Sequence, residues 1–443
     1  MEPIDASAKA QNGKLPSSEN TVKLLTLNTW GLKWVSKYRR QRLVAIADKL
    51  AFPNSPDDEY DIVALQEVWC EGDWNYINET CKDLYPYRRV FKSGIVAGPG
   101  LAILSKIAID ESFLYRFPIN GRPSAFFRGD WLVGKSIAIT LLKPHHPNAI
   151  PIAILNSHMH APYAQSGENS YSTHRACQAW DFAKIVKMLK KSGYAVIQVG
   201  DLNSKPGSLP YKLFTVEGGL SDSWDGCHDN TILSTEEIAK MQPIEQITKA
   251  GITCDSQLNT WRAHREIWEA CRLDYALIDS SNIKPINASV KFTEKLSPPF
   301  NCSYSDHFAY STELVVRSKD QQAEPAESVS TSEKIEVYRE LSREIAEYRK
   351  DNVKFQATWR KYHFFLSIIV VIALHFAITF VSEQQAWLSV VIMVTNSLVG
   401  ITGVVNGLIW YCGIRSESRA LQEVQMEVDD ALTSLQGYRD SFS

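Results

Sequence analysis

Seven aliphatic runs, six of them with polar residues at or near their ends, set the pattern of the first 314 positions: VKLLTLNTW (22–30), YDIVALQEVW (60–69), GLAILSK (100–106), KSIAITLL (135–142), IPIAILNSHMHA (150–161), AVIQVGDLN (195–203) and LDYALID (273–279). Short apolar runs of this kind predict buried strands that deliver side chains at their tips. Between them, 38–50 and 173–191 carry helical spacing. The predicted fold is α/β (α+β): over 21–314, one four-layer sandwich of two packed β-sheets flanked by helices.

The pattern changes after that. Residues 364–382 form a 19-residue run whose one ionisable side chain is His375, and 387–413 form a 27-residue run without charge. Both meet the roughly 20 apolar residues that span a bilayer. The four residues between them, 383–386, force an antiparallel hairpin of two transmembrane helices. Ile335, Tyr338, Leu341, Ile345 and Tyr348 before the first run, and Leu421, Val424, Val428, Leu432 and Leu435 after the second, recur at three- and four-residue steps. Both spans therefore continue as amphipathic helices, over 334–363 and 414–443, that pair within one chain or with a second. Gly403 and Gly407 make a GxxxG that admits close helix approach and leaves a homodimer open. Residues 1–20 read as a disordered tail and 315–333 as a charged linker.

Charge fixes the expected orientation. Lys354, Arg360 and Lys361 precede the first span, Arg415 and Arg419 follow the second, and the turn carries no Lys or Arg. By the positive-inside bias, both termini and the large domain face the cytosol. The same five residues form a candidate surface for anionic phospholipids. The net charge of -3 offers no footprint for nucleic acid. Eight cysteines without a CxxC pair are expected as reduced thiols, which argues against a zinc site or a redox pair.

Candidate chemistry sits at the strand tips: Asn28, Glu67, His158, Asp201, Asn203, Asp306 and His307. Glu67 is a hard oxygen ligand of the type Mg²⁺ prefers, and Asp201 with Asn203 places two oxygens on one side of the chain. His160 and Tyr163 follow His158 closely and are candidates to border the same pocket. In 116–136, Arg122 and Arg128 could meet anionic groups, while Phe126, Phe127 and Trp131 could dip into a lipid interface. Residues 129–136, GDWLVGKS, fit the GxxxxGK[ST] spacing, yet the segment is read as a substrate-side loop and not as a nucleotide cradle.

The strings LTLNTWGL, LQEVW, NSHMHA, GDLNS and SDHFAY, in this order, resemble the endonuclease/exonuclease/phosphatase superfamily, whose fold is like deoxyribonuclease I. NTWGLKWVSK, GPGLAILSK, RFPINGRPSAFFRGDWLVGKS, HMHAPYA and GDLNSKPGSLP are similar to the neutral sphingomyelinase branch, and within it to the fungal inositol phosphosphingolipid phospholipases C. The resemblance implies a Mg²⁺-dependent phospholipase C acting on sphingolipids. In it, Glu67 binds the metal with Asn28 nearby, His307 is the general base oriented by Asp306, and His158 stabilises the transition state or protonates the leaving alcohol. Asp201 and Asn203 order water and phosphate. Asp130 and Lys135 match a paired Asp and Lys in that branch's substrate-side or regulatory loop. The resemblance further implies activation by anionic phospholipids such as phosphatidylserine, and residence in the endoplasmic reticulum or the mitochondrial outer membrane.

Overall fold

The computed structural model describes residues 20–144, 147–228, 233–321, 323 and 329–442. The expected tail, Asn20 apart, and the middle of the expected linker lie outside the described residues.

The strands are β1 (Thr21–Asn28), β2 (Ile62–Gln66), β3 (Tyr87–Val90), β4 (Ala102–Ser105), β5 (Ile109–Arg116), β6 (Ser136–Leu142), β7 (Ile152–His158), β8 (Ala195–Asp201), β9 (Ser221–Asp222), β10 (Asp274–Ile278), β11 (Ile283–Lys291) and β12 (Ala309–Val316). They form two six-stranded sheets, in the orders β11-β12-β1-β2-β4-β3 and β5-β6-β7-β8-β10-β9. Helices α1 (Arg39–Ala51), α2 (Glu71–Thr80), a one-turn α3 (Asp130–Val133) and α4 (Ser172–Lys191) lie among them in chain order.

Each sheet contains one parallel pair, β1 with β2 and β7 with β8, in otherwise antiparallel surroundings. A parallel pair needs a crossover, supplied here by α1 and by α4. Two strand ends are thereby brought side by side in each sheet: Asn28 pairs with Gln66, directly before Glu67, and His158 pairs with Asp201. Leu24, Ile62 and Ile103 of one sheet pack on Ile154, Ile197 and Ala276 of the other in the central layer. Across this apolar layer Gln66 donates to Asn156 at 2.7 Å, and Asn156 donates to the carbonyls of Leu65 and Ala102. The bonds satisfy buried amides that would otherwise cost about 1–3 kcal/mol each, and they pin one sheet against the other just below the strand tips.

The expected helical extensions pack on the globular domain rather than standing free of it. Helices Thr331–Tyr348 and Arg415–Phe442 pair within the chain, with Leu341, Ile345, Leu421 and Val428 fully buried in one cluster with Trp180 and Phe182 of α4. Polar contacts close the edges: Lys212 with Glu340 at 3.0 Å, Lys184 with Glu427 at 2.6 Å, and His174 with Glu417 at 3.0 Å. The apolar period that spaces these leucines and valines serves α4 as well as the partner helix, so the pair forms a collar on the domain.

Two helices, Thr331–Val381 and Ala386–Gly437, are long and apolar enough to cross a membrane. Gly403 and Gly407 face the first span, where an added Cβ would lie 2.5 Å from Ser367 and 2.6 Å from Phe364. The GxxxG is thus consumed inside the hairpin. Each helix carries a π-turn where collar meets span, Arg349–Val353 on one and Ile409–Ile414 on the other.

Candidate active site

Asp201 is the hub of the site. β8 lies between β7 and β10, so its last residue has His158 on one side and Asp274 on the other. Its Oδ2 is 3.5 Å from His158 Nε2, 3.9 Å from His307 Nε2 and accepts a hydrogen bond of 2.9 Å from Asn28 Nδ2. Asn28 also donates to Glu67 at 3.1 Å, and Glu67 is 4.0 Å from His158. Asn203 turns back, its backbone N–H on Asp201 and its side chain on the carbonyl of Met159. Six of the seven tip residues therefore converge directly.

Two of the positions hold left-handed backbone, Glu67 at φ 59° and Asn203 at φ 47°. For Glu67 this conformation costs free energy and is held by the surroundings. Gly31 is one reason it is possible, since a Cβ there would lie 2.1 Å from the carbonyl oxygen of Glu67.

The structure separates Asp306 from the role the resemblance implies. His307 Nδ1 is held by Asp274 Oδ2 at 2.8 Å, whereas Asp306 is bound by Arg262 at 2.5 Å. Neighbouring residues in extended chain point to opposite sides, so Asp306 cannot reach the ring beside it. Its negative charge is felt at Glu67, whose carboxyl it helps burial to raise.

Burial and charge set the protonation states. Burial, with Asp306, raises the Glu67 carboxyl above its usual range. Burial and then Asp274 push Asp201 up to about 7 against the opposing pull of His307. Burial opposes charge on His307, but Cys254, Asp274 and Asp201 outweigh it and raise its proton affinity well above the ordinary value. Burial and Lys135 lower His158, which is neutral at pH 7. The groups gathered here suit a cation: Asp201, Asp274 and His307 place ligand atoms within 4.8 Å of one another, with the Glu67 carboxylate alongside, while Asn28 turns its NH2 to these carboxylates and its Oδ1 to the Trp30 N–H.

The loop candidates fall into two groups. Asp130 accepts from Tyr163 at 2.5 Å and lies 3.6 Å from His160 Nε2, and Arg128 covers the Tyr163 ring at 4.6 Å. Lys135 is buried, donates to Met159 O at 3.1 Å, and points between Asp130, Glu67 and Asp201. His160 stacks on Tyr171 at 3.8 Å and is held neutral by burial. Arg122, by contrast, is not presented to a ligand: it is buried on Tyr171, Asn169 and Glu168.

Of the five juxtamembrane cations, Lys354, Lys361, Arg415 and Arg419 are exposed and Arg360 is not. Arg360 donates to the Ser124 carbonyl at 3.0 Å and to Asn406, which clamps the first span's base onto the 123–128 turn. Gly413 packs so closely on Pro123 that a Cβ would lie 2.5 Å from it. Phe126, Phe127 and Trp131 are exposed on this loop at the base of the two long helices.

Asp274 and Arg262 escape a reading of strand tips. Asp274 opens its strand, and β10 runs antiparallel to β8, so its beginning meets the end of β8.

Comparison with known proteins identifies the family and the fold. The model of the endonuclease/exonuclease/phosphatase family matches residues 25–307. The chain is 48% identical to the inositol phosphosphingolipids phospholipase C of Saccharomyces cerevisiae, over 95% of this chain and 92% of that one. It is 37% identical to the protein of the same name in Schizosaccharomyces pombe, over 87% and 88%, and 27% identical to mouse sphingomyelin phosphodiesterase 2, over 73% of each. Among solved structures, a Staphylococcus aureus beta toxin shares the fold with a TM-score of 0.50 at 20% identity, over 66% of this chain and 99% of that one. With a matching family model over most of its length and these relatives, the chain belongs to the endonuclease/exonuclease/phosphatase family.

Proposed function

We propose that this chain is a membrane-anchored phospholipase C that hydrolyses the phosphodiester of inositol phosphosphingolipids to ceramide and a phosphorylated head group. The observation that carries the reading is the convergence of Asn28, Glu67, His158, Asp201, Asn203 and His307 on one point, in a domain clamped to a membrane hairpin. The 48% identity to the yeast enzyme of that name, against 27% to the mouse sphingomyelin phosphodiesterase 2, supports the inositol head group over sphingomyelin.

Mg²⁺ is the proposed cofactor, because the donors are hard carboxylate oxygens whose negative charge is poorly compensated by protein groups. When bound by Glu67 with Asn28 alongside, it supplies charge neutralisation at the phosphoryl oxygens. His307 Nε2, its ring fixed through Nδ1 by Asp274, removes a proton from the attacking water. Asp201 and Asn203 orient that water and the phosphate. His158, neutral at pH 7, donates a hydrogen bond to the developing charge rather than acting as a stored proton. Lys135 adds positive charge from beneath, and the Asp130–Tyr163–Arg128 group borders the entrance.

The exposed Lys354, Lys361, Arg415 and Arg419 ring the bases of the two spans and are the proposed contact for anionic phospholipids such as phosphatidylserine. Cytosolic orientation of the domain and both termini, in the endoplasmic reticulum or mitochondrial outer membrane, is the proposed setting. A homodimer would use surfaces other than the GxxxG face.

Product analysis decides the matter: inositol phosphoceramide, sphingomyelin, lysophospholipid and DNA are offered separately with Mg²⁺ to the full-length protein. Ceramide from inositol phosphoceramide at the highest rate is expected. A faster reaction with sphingomyelin would reassign the head group, and no turnover of any substrate would leave a catalytically inactive scaffold.

A further inference from the structure

Two cysteines from separate segments stand side by side next to the proposed base. Cys254 pairs across the backbone with Cys271 on one side and with His307 on the other. Cys254 and Cys271 exchange both backbone hydrogen bonds, at 3.0 and 3.1 Å, so their side chains leave the same face. Both thiols are buried and unbridged. The carboxylate of Asp255 joins them, and one ligand atom from each of Cys254, Asp255 and Cys271 lies within 4.8 Å of the others.

We propose that Cys254, Cys271, Asp255 and His307 form an inhibitory site for a thiophilic divalent cation of the Zn²⁺ class, separate from the oxygen-lined Mg²⁺ site. Cys254 Sγ lies 3.5 Å from His307 Nε2. Sulfur and imidazole nitrogen bound tetrahedrally to Zn²⁺ stand about 3.6 Å apart, so these two atoms already define one edge of the coordination shell. The His307 ring also has the support that zinc-binding imidazoles carry, its other nitrogen bonded to the Asp274 carboxylate at 2.8 Å. Cys271 and Asp255 supply the remaining positions. Two thiolates and a carboxylate leave the occupied site with a negative charge, and Arg262 and Arg265 stand 3.5 and 3.3 Å from Asp255 Oδ1 to balance it.

Selectivity follows from ligand type. Mg²⁺ gains little from sulfur, and a thiolate pair favours Zn²⁺ and its soft neighbours. Access exists as well, because Asp255 and Cys271 line a cleft of about 830 Å³ that also reaches Asn203. Binding expels the thiol protons and takes the lone pair of Nε2, the atom that the proposed mechanism uses on water. Metal uptake is independent of the proposed function, whereas inhibition rests on it, and the two are measured apart.

The test uses the reduced full-length protein in bilayer nanodiscs at saturating Mg²⁺. One equivalent of Co²⁺ should develop a thiolate-to-cobalt charge-transfer band, which Zn²⁺ abolishes; Cys254→Ser and Cys271→Ser should each remove it. Zn²⁺ should inhibit turnover, reversed by a zinc-selective chelator, with the half-inhibiting concentration at least tenfold higher in each variant, measured against its own zinc-free rate. Should Cys254→Ser fail to fold, Cys271→Ser carries both readouts. Absence of the thiolate band overturns the site. Inhibition unchanged in the variants would place Zn²⁺ at Glu67, and reversal by reductant rather than chelator would make the pair a disulfide switch; either result overturns the proposal.

Discussion

Asp274 Oδ2 holds His307 Nδ1 at 2.8 Å, and the carboxylate that does so comes from the strand beside Asp201 rather than from the neighbouring Asp306. The ring is therefore fixed by the sheet itself, with Nε2 left facing Asp201 and Cys254.

This pair makes a signed prediction for pH dependence. Asp274 stabilises the imidazolium and so raises the proton affinity of His307. A general base works only when neutral, so activity falls as pH drops through that pKa. Asp274→Asn removes a stabilising charge, lowers the His307 pKa, and should move the acid limb of kcat to lower pH while kcat itself drops by a factor on the order of 10²–10⁴. A rate profile across pH with bound Mg²⁺ checks both; an unmoved limb would assign the titration to another group.

Glu67→Gln tests the metal assignment through stability. The Glu67 carboxyl is raised by burial and by Asp306, so its ionised form opposes folding in the metal-free protein. The sign is that of a raised carboxylate: the native state favours the proton, and the penalty grows as pH rises from the unfolded-state pKa to the folded one. Metal-free Glu67→Gln should therefore melt at or slightly above the wild type at pH 7. The rise in melting temperature that Mg²⁺ gives the wild type should vanish with activity, and a preserved Mg²⁺ effect would move the metal elsewhere.

How much of this was legible in the chain depends on whether the partner was local. Asn28, Glu67, His158, Asp201 and Asn203 were readable because each closes a strand and the parallel crossovers gather strand ends. Asp274 sits at a strand beginning, which only an antiparallel neighbour turns into a site position. Arg122 read as a free cation because Tyr171, its partner, is 49 residues away. The Cys254–Cys271 pairing had no spacing signal, since an isolated bridge between two loops creates it. The collar period was visible, but periodicity records an apolar face and not the identity of what covers it.

The basic ring separates lipid contact from docking. Charge reversal at Lys354, Lys361, Arg415 and Arg419 should flatten the dependence of activity on phosphatidylserine content, at roughly 1 kcal/mol of membrane attraction per charge near the surface. Arg360→Ala should leave that dependence in place and lower activity at every lipid composition, because its guanidinium holds Ser124 and Asn406 instead of lipid. Vesicle assays over a series of phosphatidylserine fractions distinguish the two. A flattened dependence in Arg360→Ala would place it in the lipid contact after all.

The collar also decides where the chain can be cut. Ending it after Val316 keeps every strand but removes Leu341, Ile345, Leu421 and Val428 from the face of α4 that holds Trp180 and Phe182. Each fully buried aliphatic side chain is worth about 1.5–3 kcal/mol, comparable with the whole stability margin of a domain once several are lost. The truncated protein should aggregate or melt far below the full chain. A second variant keeps both collar helices and replaces the two spans with a short Gly/Ser connection joining Lys361 to Arg415. It should stay soluble, bind Mg²⁺, and cleave a detergent-dispersed substrate at a rate near that of the full protein, while losing most of its activity on bilayers, where tethering supplies the effective concentration. Equal stability of the two variants by thermal unfolding would show that the collar is a spacer. Loss of dispersed-substrate activity in the second variant would show that the spans themselves help to assemble the site.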